Sequence, residues 1–200
     1  MREIITDVLT WAWFSVPHGY HFNGWLVRHA GGNICIDPVE PTAEVLDELA
    51  GQGVSRILLT NRNHVRAANQ VRARTGARTA IHPADADYAR RQQAELDEEV
   101  RVGETIGPLV VHGMAGKSPG EVALHWPARR LLWVGDAVIG HPAGRCSLLP
   151  ERVVDDPAQL RGSVRQLLAL DFDALLVGDG EPILHNAKDR LRELVATFLE

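Results

Sequence analysis

Apolar and β-branched residues dominate positions 3–13, Pro17 and Gly19 interrupt them, and a strand-like run resumes at 25–29, a pattern that predicts a β-hairpin. Gly31 and Gly32 turn the chain into a further strand at 33–37. Thr42 offers the side-chain oxygen of a helix N-cap, and Val45, Leu46 and Leu49 share one face of the helix it would open. Short apolar runs at 56–60 and 79–82 alternate with helix-compatible stretches at 64–75 and from Pro83 onward. That is β-α-β-α order.

The mixture then repeats. Strands are predicted at 109–112, 121–126, 131–134 and 174–177, and helices at 157–170 and 186–199, the last of them amphipathic. No low-complexity linker divides the halves, so a single domain over 1–200 is expected. Two halves that each mix strands with helices predict an α/β (α+β) architecture of two mixed sheets packed face to face with helices outside.

Composition narrows the classes further. The 200 residues carry 21 Lys+Arg against 26 Asp+Glu, a formal charge of −5, and 45% of them are apolar. That profile excludes disorder and coiled coil and offers no basic face for nucleic acid. Cys35 and Cys146 are too few for a disulfide framework and form no C-x-x-C pair. No apolar run approaches the ~18 residues of a membrane span, and the N-terminus lacks the basic start of a signal peptide. A cytoplasmic protein without a membrane partner is expected.

Chemistry in α/β proteins collects in polar loops at strand ends, here 60–66, 113–120, Gly135-Asp136 and Gly178-Asp179-Gly180. Taken in order, Asn23-x-Trp-Leu-Val, the turn near Asp37, Ile-Leu-Leu-Thr60, Gly116-x-Ser-Pro-Gly120, Trp-Val-Gly-Asp136 and Leu-Leu-Val-Gly-x-Gly180 resemble the metallo-β-lactamase superfamily from about Asn23 to the C-terminus. The resemblance implies an αββα four-layer sandwich with one or two zinc or iron ions at the sheet edges, and hydrolysis of esters, thioesters, amides or phosphodiesters.

The family's ligand set begins T-H-x-H-x-D-H, whereas this chain reads Thr60-Asn61-Arg62-Asn63-His64-Val65-Arg66. By the same correspondence Lys117 and Asp179 stand where the family has histidines, and Asp136 alone keeps its ligand type. An amide is a poor zinc donor, and Arg66 and Lys117 would repel a dication at short range. The expectation is therefore a degenerate centre without the zinc or iron cofactor, in which the cations offset Asp136 and Asp179. Lys117 is expected to ion-pair with Asp136, Asp179 or both. The pocket candidates are Asp136, Lys117, Asp179, Arg66, His64, Asn61 and Asn63. The expected function is a non-catalytic pseudoenzyme that binds a small polar ligand; the alternative is a hydrolase of an ester, thioester or amide that uses a substitute metal site or no metal.

Other chemistries are weaker. His18, His21, His64, His112 and His185 could form a substitute metal site, though ordinary surface or hydrogen-bonding roles fit scattered histidines better. Gly116-Lys117-Ser118 ends like a phosphate-binding P-loop but leads into β-like sequence instead of a helix. Ser118 and Cys146 are loop nucleophiles with no evident base, and the five tryptophans fall on strands at core-like spacing.

Overall fold

Asp7, at a φ of +65°, splits the first apolar run into two strands, β1 (Arg2–Ile5) and β2 (Val8–Ser15). The computed structural model describes residues 1–198, which fall into two compact units, Met1–Arg101 and the residues from Val102 onward. The end of the predicted final helix, Leu199, lies outside the described residues.

In the first unit the chain continues through β3 (Tyr20–Val27), β4 (Asn33–Ile36), α1 (Ala43–Gly51), β5 (Val54–Leu59), α2 (Ala68–Thr75), β6 (Arg78–Ile81), α3 (Pro83–Arg91) and the short β7 (Glu98–Glu99). These strands form one seven-stranded sheet in sequence order. Strands β1 to β4 pair antiparallel through tight turns, and β4 to β7 pair parallel because longer connections bearing the helices separate them. Thr42 caps α1 as expected, its hydroxyl accepting the Val45 N–H at 3.3 Å. Leu9, Leu26, Leu49, Ile57, Leu59, Val71 and Ile81 form the core. Burial stabilises by about 1.5–3 kcal/mol for each such large side chain.

The second unit holds β8 (Thr105–Ile106), β9 (Leu109–Gly113), β10 (Val122–Trp126), β11 (Leu131–Val134), α4 (Pro157–Leu167), β12 (Ala174–Val177) and α5 (Ala187–Ala196). Its five-stranded sheet has the order β12-β11-β10-β9-β8 and is antiparallel except for the β11–β12 pair, between which α4 crosses over. Leu160, Val164 and Leu167 recur at helical spacing on α4 and pack with Leu132, Leu175, Val177 and Leu191. Two mixed sheets with five α-helices among the described residues bear out the predicted fold class.

Two local expectations fail. The helix expected from position 64 starts at Ala68, because the residues before it spend their hydrogen bonds on a side-chain-knit loop. Trp25 and Trp133 are core residues, but Trp13 is exposed on the β2–β3 hairpin, where it meets Phe22 with ring centroids 5.7 Å apart.

Candidate active site

In the first unit the C-terminal end of β5 runs into the 60–66 loop, which is held almost entirely by side chains. Asp37, buried at the end of β4 with a φ of +47°, accepts the Thr60 N–H at 2.8 Å through Oδ1 and the Thr60 hydroxyl at 2.6 Å through Oδ2. The same Oδ2 lies 2.8 Å from His64 Nδ1. The Asn61 side chain accepts the Asn63 N–H at 2.8 Å, and Asp85 on α3 accepts the Arg62 N–H at 2.9 Å. Asn61 and His64 are fully buried, Asn63 is exposed, and the half-buried Arg66 guanidinium sits 4.2 Å above the Phe22 ring.

This arrangement fixes His64 chemically. With Nδ1 turned to a buried carboxylate, the neutral imidazole carries its proton on Nδ1 and its lone pair on Nε2, the tautomer in which a carboxylate-supported histidine binds metal or accepts a proton.

In the second unit β11 and β12 are parallel neighbours with Val134 opposite Val177. Asp136 and Asp179 each follow that pair by two residues, so equal steps bring both carboxylates to one sheet edge, with oxygens within 4.8 Å of each other. Both are buried. The Lys117 ammonium lies 2.7 Å from Asp136 Oδ2, the ion pair expected from the sequence, with both side chains 7% exposed.

The loop that delivers Lys117 is anchored on α4. Gly116 accepts the Asp156 N–H at 2.7 Å, and Ser163 donates to Ala115 O at 2.7 Å. Gly116 has a φ of +140°, and a Cβ there would meet the Leu160 backbone nitrogen at 2.3 Å, so only glycine lets the loop lie this close to the helix. Glu121 accepts the Ala137 N–H at 2.8 Å and holds the chain just past Asp136. The loop continues into β10, not a helix, so the P-loop likeness has no structural counterpart.

The remaining candidates are dispersed. His18 faces Ser15 Oγ at 2.6 Å on an exposed turn, His21 stacks edge-on to Phe14, His112 neighbours His125 at 5.8 Å between centroids, and His185 is 84% exposed. Of the five proposed substitute ligands, His64 alone is buried. Burial pushes the Cys35 thiol far above its usual value, with the Asp37 carboxylate adding to it, and lifts Cys146 to about 12. Neither is a nucleophile at neutral pH. Asp37 entered the sequence reading only as part of a family-like turn, and Asp85 and Glu121 went unnoticed: each works by accepting backbone N–H groups, a role that depends on folded geometry.

The family model for the metallo-beta-lactamase superfamily matches residues 3–198. A hydroxyacylglutathione hydrolase of Fuscovulum blasticum is 32% identical over 155 residues, covering 74% of this chain and 57% of its own length. One from Cereibacter sphaeroides is 33% identical over 171 residues, covering 82% and 64%. The chain thus spans about three-fifths of the length of these curated relatives. Among solved structures, a metallo-beta-lactamase from Pontibacter korlensis superimposes with a TM-score of 0.80 over 98% of each chain at 17% identity. TTHA1623, solved in a di-iron-bound form, gives 0.68 at 23% identity over 86% of this chain and 93% of its own.

These findings correct the reading of a non-catalytic pseudoenzyme with a degenerate site: the curated relatives are hydrolases by name. They also overturn the expectation that no metal cofactor belongs here. His64 in the first unit and Asp136 and Asp179 in the second each present a buried ligand atom of a kind that metals take. Matching residues to the family's ligand positions counted the losses at Asn61, Asn63, Val65, Arg66 and Lys117. The pocket candidates drawn from the same loops included His64, Asp136 and Asp179; what that reading discounted is their capacity as metal donors. The chain shares the metallo-β-lactamase fold and, on the match over residues 3–198, belongs to the metallo-β-lactamase superfamily.

Proposed function

We propose that the chain is a metal-assisted hydrolase of a small thioester, of the hydroxyacylglutathione kind named for its relatives. The observation that carries this reading is the buried Asp136–Asp179 carboxylate pair, whose oxygens are close enough to share one cation. Lys117 offsets one of the two negative charges through Asp136, and the remaining negative charge in this buried setting favours a cation. Asp136 and Asp179 would hold a zinc or iron ion, which would supply Lewis-acid polarisation of the substrate carbonyl.

The chain's own residues prepare that chemistry. Lys117 grips Asp136 Oδ2 and fixes the orientation of the carboxylate, while Glu121 pins the backbone that follows. In the first unit, Asp37 Oδ2 lies 2.8 Å from His64 Nδ1, so the neutral form of this ring would present its lone pair at Nε2.

Steady-state hydrolysis of a 2-hydroxyacylglutathione by protein supplied with zinc or iron tests the reading. Turnover above the buffer rate is expected, with kcat/KM about 100-fold lower in Asp136→Asn. Absence of turnover, or a rate that Asp136→Asn leaves unchanged, contradicts it.

A further inference from the structure

We infer that the second unit carries a cleft for a small amphiphilic monoanion, a carboxylate head on an apolar body, with Arg145 as the residue that takes the head. The cleft encloses about 830 Å³ between residues 142–148 and helices α4 and α5. That volume lies within the ~300–1,000 Å³ typical of small-molecule sites. Asp136, Asp179 and Lys117 are not among its lining residues, so the function proposed above does not account for it.

Charge decides what the cleft accepts. Arg145, Arg161 and Arg190 line it together with Glu151 and Glu193. Arg161 lies 3.0 Å from Glu151, and Arg190 reaches both oxygens of Glu193 at 2.6 and 2.8 Å. The Arg145 side chain has no hydrogen bond or ion pair among the described residues. Two guanidiniums are thus neutralised within the cleft and one is left for a ligand. A single anionic charge completes the balance, whereas a dianion would meet the two glutamates. Arg145 is also held in place: its N–H donates to Pro142 O at 3.1 Å, and Ile139 and Ser147 exchange backbone hydrogen bonds of 2.9 and 3.0 Å across the segment.

Most of the remaining lining is apolar, with Ser147 and Thr197 as polar exceptions. Leu148, Leu194 and Phe198 flank Cys146, which is 8% exposed. Burial, with help from Glu193, raises this thiol to about 12, so it stays neutral and presents an apolar surface. A planar guanidinium in the same cleft as apolar side chains suits an amphiphile whose carboxylate binds in bidentate fashion and whose hydrocarbon part meets the apolar lining.

Calorimetric titration of the full chain with octanoate tests this assignment without recourse to hydrolysis. Saturable uptake of one octanoate per chain is expected. Arg145→Ala should weaken it at least about tenfold, as should replacing octanoate by uncharged octanol, the loss of one charge-assisted pair. Arg145 is exposed and unpaired, so the variant should melt within about 1 °C of the parent, which keeps a binding defect distinct from misfolding. No saturable uptake, equal affinity in Arg145→Ala, or octanol binding as tightly as octanoate overturns the proposal.

Discussion

Removing the Asp136 carboxylate leaves the Lys117 ammonium without its partner at 2.7 Å, in a place where both side chains are 7% exposed. Breaking a buried pair from one side costs about 3–5 kcal/mol, against under about 1 kcal/mol for an exposed pair. Asp136→Ala should therefore lower the denaturant midpoint far more than Asp87→Ala, which removes the surface partner of Arg90. Equal midpoints would show that the pair is solvated. His112 supplies a second test at this scale. Its imidazole is held below the usual histidine range, first by burial and then by the neighbouring His125, and its Nε2 is buried with no hydrogen-bond partner. The unfolded chain therefore binds the proton more readily. Stability from this site is present above the unfolded value of about 6.5 and is lost as pH falls through it toward the lower folded value. The parent should lose more stability than His112→Gln between pH 7.5 and pH 5.5, as read from urea midpoints.

At the scale of elements, the two functional loops stand on specific contacts between loop and helix. Gly116→Ala places a methyl group 2.3 Å from the Leu160 backbone at a φ of +140°. The expected cost is about 2–4 kcal/mol, together with displacement of Lys117, seen as a lower melting temperature. In the first unit Asp97 clasps two elements: it takes two hydrogen bonds from Arg72 on α2, at 3.0 and 2.9 Å, and one from the Thr79 N–H on β6 at 2.9 Å. The Arg72 bonds, followed by the Thr79 N–H, lower its carboxyl to about 2. A depressed folded value means that the clasp is at full strength above the unfolded value of about 4 and fails as pH falls through about 2. Asp97→Asn should flatten the acid limb of the stability curve, and an unchanged limb would remove Asp97 from the account.

The same contacts explain how much was legible. Strands β11 and β12 are runs of four apolar residues, β5 ends in Ile57-Leu58-Leu59, and all three stand out from the sequence, as does the cap at Thr42. The two-residue strands β7 and β8 are defined only by the neighbours they pair with, so no local pattern marks them. Asp136 and Lys117 were found because they sit in recognisable motifs. The support given by Asp37, Asp85 and Glu121 was not, since acceptance of a backbone N–H depends on folded geometry and leaves no periodicity to read.

For the whole molecule, two sheets of seven and five strands bring glycine-flanked strand ends and their loops into use as chemical ground, and no helix among the described residues is long and apolar enough to cross a membrane. The family's histidine-rich ligand pattern is largely absent, yet buried donors remain in His64, Asp136 and Asp179. The account therefore turns on whether the Asp136–Asp179 pair holds a metal. Metal content of chain purified without chelator, measured by inductively coupled plasma mass spectrometry, decides this most directly. Retention of zinc or iron by the parent and its loss in the Asp136→Asn, Asp179→Asn double variant, with circular dichroism unchanged, is the predicted result. A parent that takes up no metal even when supplied with zinc and iron, or a double variant that retains the parent's content, would contradict the account.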